Sequence, residues 1–152
     1  MAAAVVMAGC SGDEPNRDPD PGAGAGAYAP SETARELCVD TINQYRATVG
    51  SPPLTEWVDI EGCVDNQARQ DGQANSPHSA FGQCGENAQD ECPGWPAPPE
   101  NMIQDCLAMM WAEGPGGGHY ENMRNPNSTL AACGYWTDPA NPGSLWATQD
   151  FR

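Results

Sequence analysis

The chain has 152 residues, of which 39% are apolar and 18% are charged, a size and composition that suit one modest globular domain. It carries 21 acidic residues against 6 basic ones, all of them arginine, and its formal net charge is −15. Proteins that bind nucleic acids or anionic membrane surfaces need clustered basic residues, so this charge balance excludes both classes. Seven cysteines in so short a chain indicate an oxidising compartment rather than the cytosol.

The first ten residues are typical of a bacterial lipoprotein signal. Residues 1–9 are uncharged and mostly apolar, and Met7, Ala8 and Gly9 before Cys10 resemble a lipobox, in which the cysteine receives a diacylglycerol anchor. The segment lacks a basic start and is shorter than a full signal core, which leaves its completeness open; an apolar segment that contains a cysteine by chance is the alternative. Residues 11–30 are rich in glycine, proline, alanine and acidic residues and are predicted to form a disordered tether. The folded domain is therefore expected over residues 31–152.

Three helices are predicted, at about 33–49, at about 59–73, and from after Pro98-Pro99 to just before Gly114-Pro115. Each places one cysteine on its inward face, which favours disulfides that join each helix to a neighbouring segment over buried free thiols. With Cys10 lipidated, six cysteines remain for three disulfides: Cys38, Cys63, Cys84, Cys92, Cys106 and Cys133. A Cys84–Cys92 bridge is one expected pairing, and the connectivity of the other four stays open.

The last third of the sequence reads as β-structure. Two runs, Leu130 to Thr137 and Leu145 to Phe151, flank a connection rich in turn residues, and the second run alternates as a strand does. They predict an antiparallel hairpin. With helices first and strands late, the fold class is α+β: a three-layer α-β-α sandwich with a small antiparallel sheet, stapled by disulfides.

The two histidines of the chain, His78 and His119, lie in segments rich in glycine, proline and serine and are predicted to lie on loops. Glu86 follows the first histidine and Glu113 precedes the second. Imidazole nitrogen is a common zinc ligand, and a nearby carboxylate can orient the ring or take up a proton. Two protein ligands make a weak site, so a Zn²⁺ ion held there would be labile. The alternative is that both histidines only bond to loop backbone.

Several short motifs, in this order along the chain, resemble the CAP superfamily of cysteine-rich secretory, antigen 5 and pathogenesis-related 1 proteins, over roughly residues 35–151. The motifs are Asp40 to Arg46, Pro52-Pro53-Leu54 with Trp57, His78-Ser79, Gly85-Glu86-Asn87 and Gly118-His119-Tyr120. The resemblance implies a cleft tetrad in which His78 and His119 hold a divalent metal, often zinc, and Glu86 and Glu113 are the candidate catalytic carboxylates. The short segment between Glu113 and His119, and the absence of the family's tryptophan after the second motif, look like the bacterial branch. The short segment also makes it uncertain that Glu113 reaches the cleft.

The resemblance implies an exported protein, a cell-envelope lipoprotein or an extracellular one, that binds a small hydrophobic or peptide ligand in this cleft. Sterol-like lipid, an acyl chain and a short peptide are the candidates, and the acidic surface favours a neutral or cationic partner. One alternative is a metal-dependent hydrolase in which the histidines hold zinc, Glu86 is the general base and Glu113 the second carboxylate. Another is a disulfide-stapled interaction module with a vestigial cleft. The sequence leaves open whether the protein is an enzyme, which ligand it binds and how many copies associate. It predicts membrane attachment only through the lipid anchor. The acidic residues Asp90, Glu91 and Glu121 are predicted to be solvent-exposed charges.

Overall fold

The computed structural model describes residues 32–152, so the predicted signal segment (1–10) and tether (11–30) lie outside the described residues. The described range contains four α-helices: α1 (Glu32–Thr48), α2 (Glu61–Ala74), α3 (Pro99–Trp111) and α4 (Gly118–Arg124). A 3-10 turn, Val58–Ile60, leads into α2. Helices α1 to α3 lie within about two residues of their predicted spans; glycine and proline mark the end of α1 and both ends of α3. None of the described helices has both the length and the apolarity needed to cross a lipid bilayer.

The strands of the described part of the chain form one sheet with the order β1-β3-β4-β2. They are β1 (Thr55–Glu56), β2 (Ala88–Pro96), β3 (Leu130–Thr137) and β4 (Ser144–Phe151). The predicted hairpin is confirmed, since β3 and β4 pair antiparallel with Trp136 opposite Trp146. β1 pairs parallel with β3, so the sheet is mixed rather than wholly antiparallel.

Strand β2 was not predicted, and it forms one edge of the sheet by pairing antiparallel with β4. Its sequence contains Pro93 and Gly94, which disfavour strands and hide the alternation. The pairing shifts register between Cys92 and Trp95, and this irregularity accommodates both residues.

The sheet lies between two helical layers, which confirms the predicted three-layer arrangement. Helices α1, α3 and α4 pack against one another on one face, where Ile42, Leu107 and Phe151 are fully buried in the apolar core. Helix α2 covers the other face and packs on β3 and β4. A side chain at Gly134 would collide there with the backbone of Val64, so this glycine permits the close approach of α2 to the sheet.

Three disulfides join each long helix to a neighbouring segment, as predicted. They are Cys38–Cys133 from α1 to β3, Cys63–Cys84 from α2 to the following loop, and Cys92–Cys106 from β2 to α3. The expected Cys84–Cys92 pairing is wrong, because Cys84 lies on the α2 side of the sheet whereas Cys92 points to the α3 side. Three such bridges are typical of secreted proteins in an oxidising compartment.

Arg46 of α1 fixes the position of α4 and of the segment that follows it. Its side chain is fully buried, and its guanidinium donates to backbone carbonyl oxygens of Pro52, Met123, Asn125 and Ser128 at 2.7 to 3.3 Å. Burial lowers the pKa of Arg46 from its ordinary value. One cation thus satisfies carbonyls from two connecting segments and holds the helix that carries His119.

Candidate functional site

A cleft of about 320 Å³ lies along the edge strand β2, between the loop after α2 and helix α4. The side chains that line it come from these three segments: His78, Phe81, Asn87, Ala88, Gln89 and Asn122. The loop after α2 leaves the helix through Asn75, which adopts the left-handed conformation that ends many helices. The exposed edge of the sheet therefore forms the floor of the cleft, and connecting segments form its walls.

His78 is held in place from two sides. Its backbone adopts a positive φ of 61°, and its amide donates to Oε1 of Glu91 at 3.2 Å. Its ring Nδ1 lies 3.1 Å from Oε1 of Gln89, whose Nε2 donates to Oδ1 of Asp150 at 3.0 Å. Because the amide nitrogen of Gln89 donates to Asp150, the amide oxygen of Gln89 faces the imidazole of His78. Nδ1 of His78 therefore carries the proton, and Nε2 keeps a lone pair.

His119 and Glu113 form a direct pair. The Nδ1 of His119 lies 2.6 Å from Oε1 of Glu113, and the backbone amide of His119 donates to Oε2 at 3.1 Å. The hydrogen bond from the His119 ring lowers the pKa of Glu113 from its ordinary value. The short segment between the two residues, which raised doubt about the role of Glu113, is what turns its carboxylate back to the first turn of α4.

The prediction that both histidines lie on loops is wrong for His119, which is in the first turn of α4. The segment Gly114-Pro115-Gly116-Gly117-Gly118 hid this helix in the sequence, since glycine and proline are weak helix formers. Gly117 precedes the helix in an extended conformation, and a Cβ atom there would lie 2.7 Å from Oε2 of Glu113. The absence of a side chain at this position lets Glu113 approach His119.

Glu86 is buried and holds together the loop that bears His78. Its Oε1 accepts from Nε2 of Gln67 at 2.6 Å and from the amide of Gly82, and its Oε2 accepts from the amide of Cys84 at 2.9 Å. No hydrogen bond between described residues joins Glu86 to either imidazole. Of the four predicted residues, the structure therefore pairs His119 with Glu113, and it holds His78 and Glu86 through separate partners.

A group of buried acids next to the cleft was missed. Asp90 and Glu91, predicted as solvated charges, are 0% and 5% exposed, because α4 and the loop after α2 cover their edge strand. Burial and the neighbouring Asp71 carboxyl raise the pKa of Glu91 to about 8. Burial also raises the pKa values of Asp90 and Asp150 to about 7. No alternation in this stretch of sequence signals that these residues face inward.

A further cluster of potential metal ligands lies on the α2 side of the sheet. Sγ of Cys84 and one carboxylate oxygen from each of Glu86 and Asp150 lie within 4.8 Å of one another. Cys84 is disulfide-bonded to Cys63, and a disulfide sulfur is a poor metal ligand compared with a thiolate. In the oxidised protein the cluster therefore offers two carboxylates to a cation.

Several solved structures have a similar fold. BmVAL-1 superposes with a TM-score of 0.64 at 14% sequence identity, over 80% of this chain and 77% of that chain. An outer surface protein from Borrelia burgdorferi has a TM-score of 0.56 at 14% identity, over 80% and 93% of the two chains. The hookworm platelet inhibitor has a TM-score of 0.55 at 12% identity, over 80% and 70%. No curated protein sequence matches this chain significantly.

The sequence itself matches a family profile over most of its length. Residues 39–151 match the CAP family, described as the cysteine-rich secretory protein family. The matched range includes five of the six disulfide-bonded cysteines, all except Cys38, and the segments that form both walls of the cleft. The chain belongs to the CAP family.

Proposed function

We propose that this protein is an extracytoplasmic binding protein whose cleft takes a small ligand between His78 and α4. The supporting observation is that each imidazole is fixed through Nδ1, by Gln89 in one case and by Glu113 in the other. Each ring therefore keeps the lone pair of Nε2 for a ligand or a cation. Rings held in one orientation lose little entropy when they bind.

We infer that His78 and His119 hold a divalent metal of the zinc type. Imidazoles that ligate zinc commonly bond through their other nitrogen to a carboxylate or an amide oxygen, as His119 and His78 do. His78 and His119 would hold the ion, which would supply a Lewis-acid contact for an oxygen atom of the ligand. Because stable zinc sites use three or four protein ligands, we expect weak and reversible occupancy.

The lining of the cleft favours a peptide over a lipid or sterol. Three amide side chains, Asn87, Gln89 and Asn122, offer donors and acceptors of the kind that peptide groups pair with, and Phe81 adds one apolar surface that is 49% exposed. A sterol or acyl chain has few polar groups to pair with these three amides, whereas a peptide offers an N–H donor and a C=O acceptor at most residues. The net charge of −15 favours neutral or basic peptides over acidic ones.

The test is equilibrium binding of a panel of neutral and basic peptides, with a fluorescent fatty acid and a sterol analogue alongside, with and without Zn²⁺. Phe81→Ala and His119→Ala should each weaken peptide binding at least about tenfold, or about 1.4 kcal/mol. Val58→Ala is the matched control, because Val58 is an equally exposed apolar residue outside the cleft lining. Tight binding of the lipid probes alone would replace the peptide proposal. Protein capture that survives all cleft substitutions would instead support an interaction module with a vestigial cleft.

A second candidate, a metal-dependent hydrolase, is favoured by the His119–Glu113 pair. A carboxylate that holds an imidazole in one tautomer at 2.6 Å is a common arrangement for proton transfer. Glu86 is less suited to act as general base, because three N–H donors already occupy its carboxylate. Zinc-dependent turnover of peptide or ester substrates that is lost in Glu113→Gln and kept in Glu86→Gln would establish this function and its base.

We also propose that Cys10 carries a lipid anchor and that residues 11–30 separate the domain from the membrane. The lipobox-like sequence and the composition of the tether support this arrangement. In a bacterial host, mass spectrometry should find a diacylglyceryl group on Cys10, and Cys10→Ser should move the protein from the membrane fraction to the soluble fraction. Equal distribution of both forms would contradict the anchor.

A further inference from the structure

The Cys63–Cys84 disulfide differs from the other two in its exposure. Cys63 and Cys84 are both partly exposed to solvent. The four cysteines of the other bridges are fully buried: Cys38, Cys92, Cys106 and Cys133. Thiol–disulfide exchange requires in-line access of the attacking thiolate to a sulfur, so a soluble dithiol can reach this bridge before the others.

Four potential metal ligands meet at this bridge. Sγ of Cys63 is bonded to Sγ of Cys84, at 2.03 Å, and carboxylate oxygens of Glu86 and Asp150 lie within 4.8 Å of Cys84 Sγ and of each other. Two sulfur and two oxygen donors are a set that zinc accepts in tetrahedral sites, whereas calcium and magnesium prefer oxygen alone.

Both carboxylates keep capacity for a cation. Oε2 of Glu86 accepts one hydrogen bond, from the Cys84 amide, which leaves a lone pair on that oxygen. Asp150 is fully buried, and its Oδ1 accepts from Gln89. Its Oδ2 is buried without a hydrogen-bond partner among the described residues. A buried carboxylate oxygen without a donor is costly, and a bound cation would remove that cost.

We propose that reduction of the Cys63–Cys84 disulfide creates a Zn²⁺ site formed by Cys63, Cys84, Glu86 and Asp150. A dithiol supplies two electrons and two protons to the disulfide and itself becomes a disulfide, which leaves two thiols. The Zn²⁺ ion then displaces the two thiol protons and binds both thiolates. Zn–S bonds of about 2.3 Å separate two sulfurs by about 3.8 Å in a tetrahedral site, and any disulfide bond is about 2 Å long, so the sulfurs need to move apart by only about 2 Å.

This inference goes beyond the proposed ligand binding in the cleft, because the site lies on the α2 side of the sheet and uses neither histidine. As a consequence, a zinc ion can replace the disulfide as the link between α2 and the loop that joins α2 to β2. The loop that carries His78 and Phe81 would stay attached to α2 in both redox states. The protein would thus change from a disulfide-closed to a metal-closed form when a thiol reductant and zinc are present together.

The test uses the full chain with Cys10→Ser, so that every remaining cysteine belongs to a disulfide. Limited reduction with a dithiol, followed by anaerobic removal of the reductant and alkylation of a sample, should show two free thiols per chain, at Cys63 and Cys84 by mass spectrometry. The rest of the reduced protein is titrated with Co²⁺ as a spectroscopic substitute for Zn²⁺. We expect one ion per chain, with a thiolate-to-cobalt charge-transfer band and the strong visible bands of a tetrahedral site, and full displacement by Zn²⁺.

Asp150→Asn keeps the disulfide and should weaken Co²⁺ binding by the reduced protein at least about tenfold. Asp90→Asn is the matched control, a buried carboxyl on the opposite face of the sheet, and should change the affinity less than about twofold. Three results would overturn the proposal. They are release of all six thiols together, reduced protein without the charge-transfer band, and an Asp150→Asn variant that binds as tightly as the parent.

Discussion

The Nδ1 atom of His119, in the first turn of α4, lies 2.6 Å from Oε1 of Glu113, which lies in the turn that follows α3. The run of glycines between α3 and α4 makes this return possible. The same carboxylate also accepts the backbone amide of His119, so it fixes both the ring and the start of α4. The orientation of one wall of the cleft depends on this one carboxylate.

Replacing Glu113 by Gln should weaken metal binding in the cleft and leave the fold intact. The amide still fills the position, but it carries no charge to support the imidazole as a ligand. Loss of such an outer carboxylate reduces metal affinity by roughly 10- to 100-fold. Isothermal titration of the oxidised protein with Zn²⁺ measures the effect.

Glu121→Gln is the control for this substitution. Glu121 is a carboxylate on the same short helix; it accepts from Arg124 and from the Gly116 amide, bonds that the oxygen of a Gln can share, and makes no hydrogen bond with the His119 ring. Its removal should leave zinc affinity unchanged. Equal losses in the two variants would mean that general surface charge, and not the His119–Glu113 pair, determines the affinity.

Gly117→Ala should produce the same loss as Glu113→Gln, by a steric route. The added Cβ would collide with Cβ of Glu113 and lie 2.7 Å from its Oε2, so both the side chain and the turn that carries it would have to shift. The backbone angles of Gly117, φ −74° and ψ 138°, suit any residue, so strain in φ does not contribute. We expect about 1 to 3 kcal/mol lower stability from overpacking, together with weaker zinc binding.

Gly118→Ala separates crowding from a general effect of removing glycine. Nothing lies within 4 Å of a Cβ built at Gly118, which is the first residue of α4. This variant should keep its zinc affinity and gain slightly in helix stability. A Gly117→Ala variant that behaves like Gly118→Ala in calorimetry would show that Glu113 does not need this close approach.

The sequence predicted the elements whose patterns are local. Helix α3 has a proline start and an apolar stripe, and the hairpin β3–β4 has alternation on both sides of a turn, so propensity and burial agree in both. The motif order also predicted a site that contains His78 and His119, and this stays a prediction. Predicting α3 and the β3–β4 hairpin needs no information on contacts between residues that are far apart in the sequence.

The parts that were missed depend on tertiary contacts. Strand β2 has a polar, proline-containing sequence and is a strand only because β4 pairs with it. Asp90 and Glu91 are buried although their residue types predict exposure, because α4 and the loop after α2 cover this strand. Helix α4 is short and follows a glycine-rich segment. It is held in place by a hydrogen bond that Arg46, far away in the sequence, donates to the carbonyl oxygen of Met123. The Cys63–Cys84 pairing likewise follows from which face of the sheet each cysteine occupies.

Arg46→Met should be strongly destabilising. The substitution keeps much of the side-chain volume but removes the donors for four backbone carbonyls, two of them in buried bonds, from Arg46 to Met123 and to Ser128. Unsatisfied buried acceptors cost about 1 to 3 kcal/mol each, so we expect a loss of about 3 to 5 kcal/mol in the free energy of unfolding by urea. Arg69→Met, on the exposed side of α2, should change it by less than about 0.5 kcal/mol. Similar small effects in both variants would contradict the anchoring role of Arg46.

The free energy of unfolding should fall as the pH rises from about 5 to about 8. Burial raises the pKa of Asp90 and of Asp150 to about 7, and burial together with the Asp71 carboxyl raises that of Glu91 to about 8. The folded state therefore binds protons more tightly than the unfolded state, and this stabilisation is complete below the unfolded pKa, near 4, and lost above the folded values. Each tenfold change in proton affinity corresponds to about 1.4 kcal/mol, so three such groups predict a loss of at least about 3 kcal/mol over this range.

Urea unfolding with the disulfides intact, at a series of pH values and constant ionic strength, measures this dependence. The opposite contribution of Glu113, whose pKa is lowered, is small because that side chain is exposed. Glu91→Gln should flatten the profile above about pH 6, because it removes the carboxyl whose pKa is raised to about 8. Glu36→Gln, at an exposed position on α1, should leave the slope unchanged. A wild-type profile that is flat or rises towards pH 8 would mean that the buried carboxyls of β2 ionise with little loss of folding free energy. Water or a positive charge would then have to stabilise the ionised forms of Asp90 and Glu91.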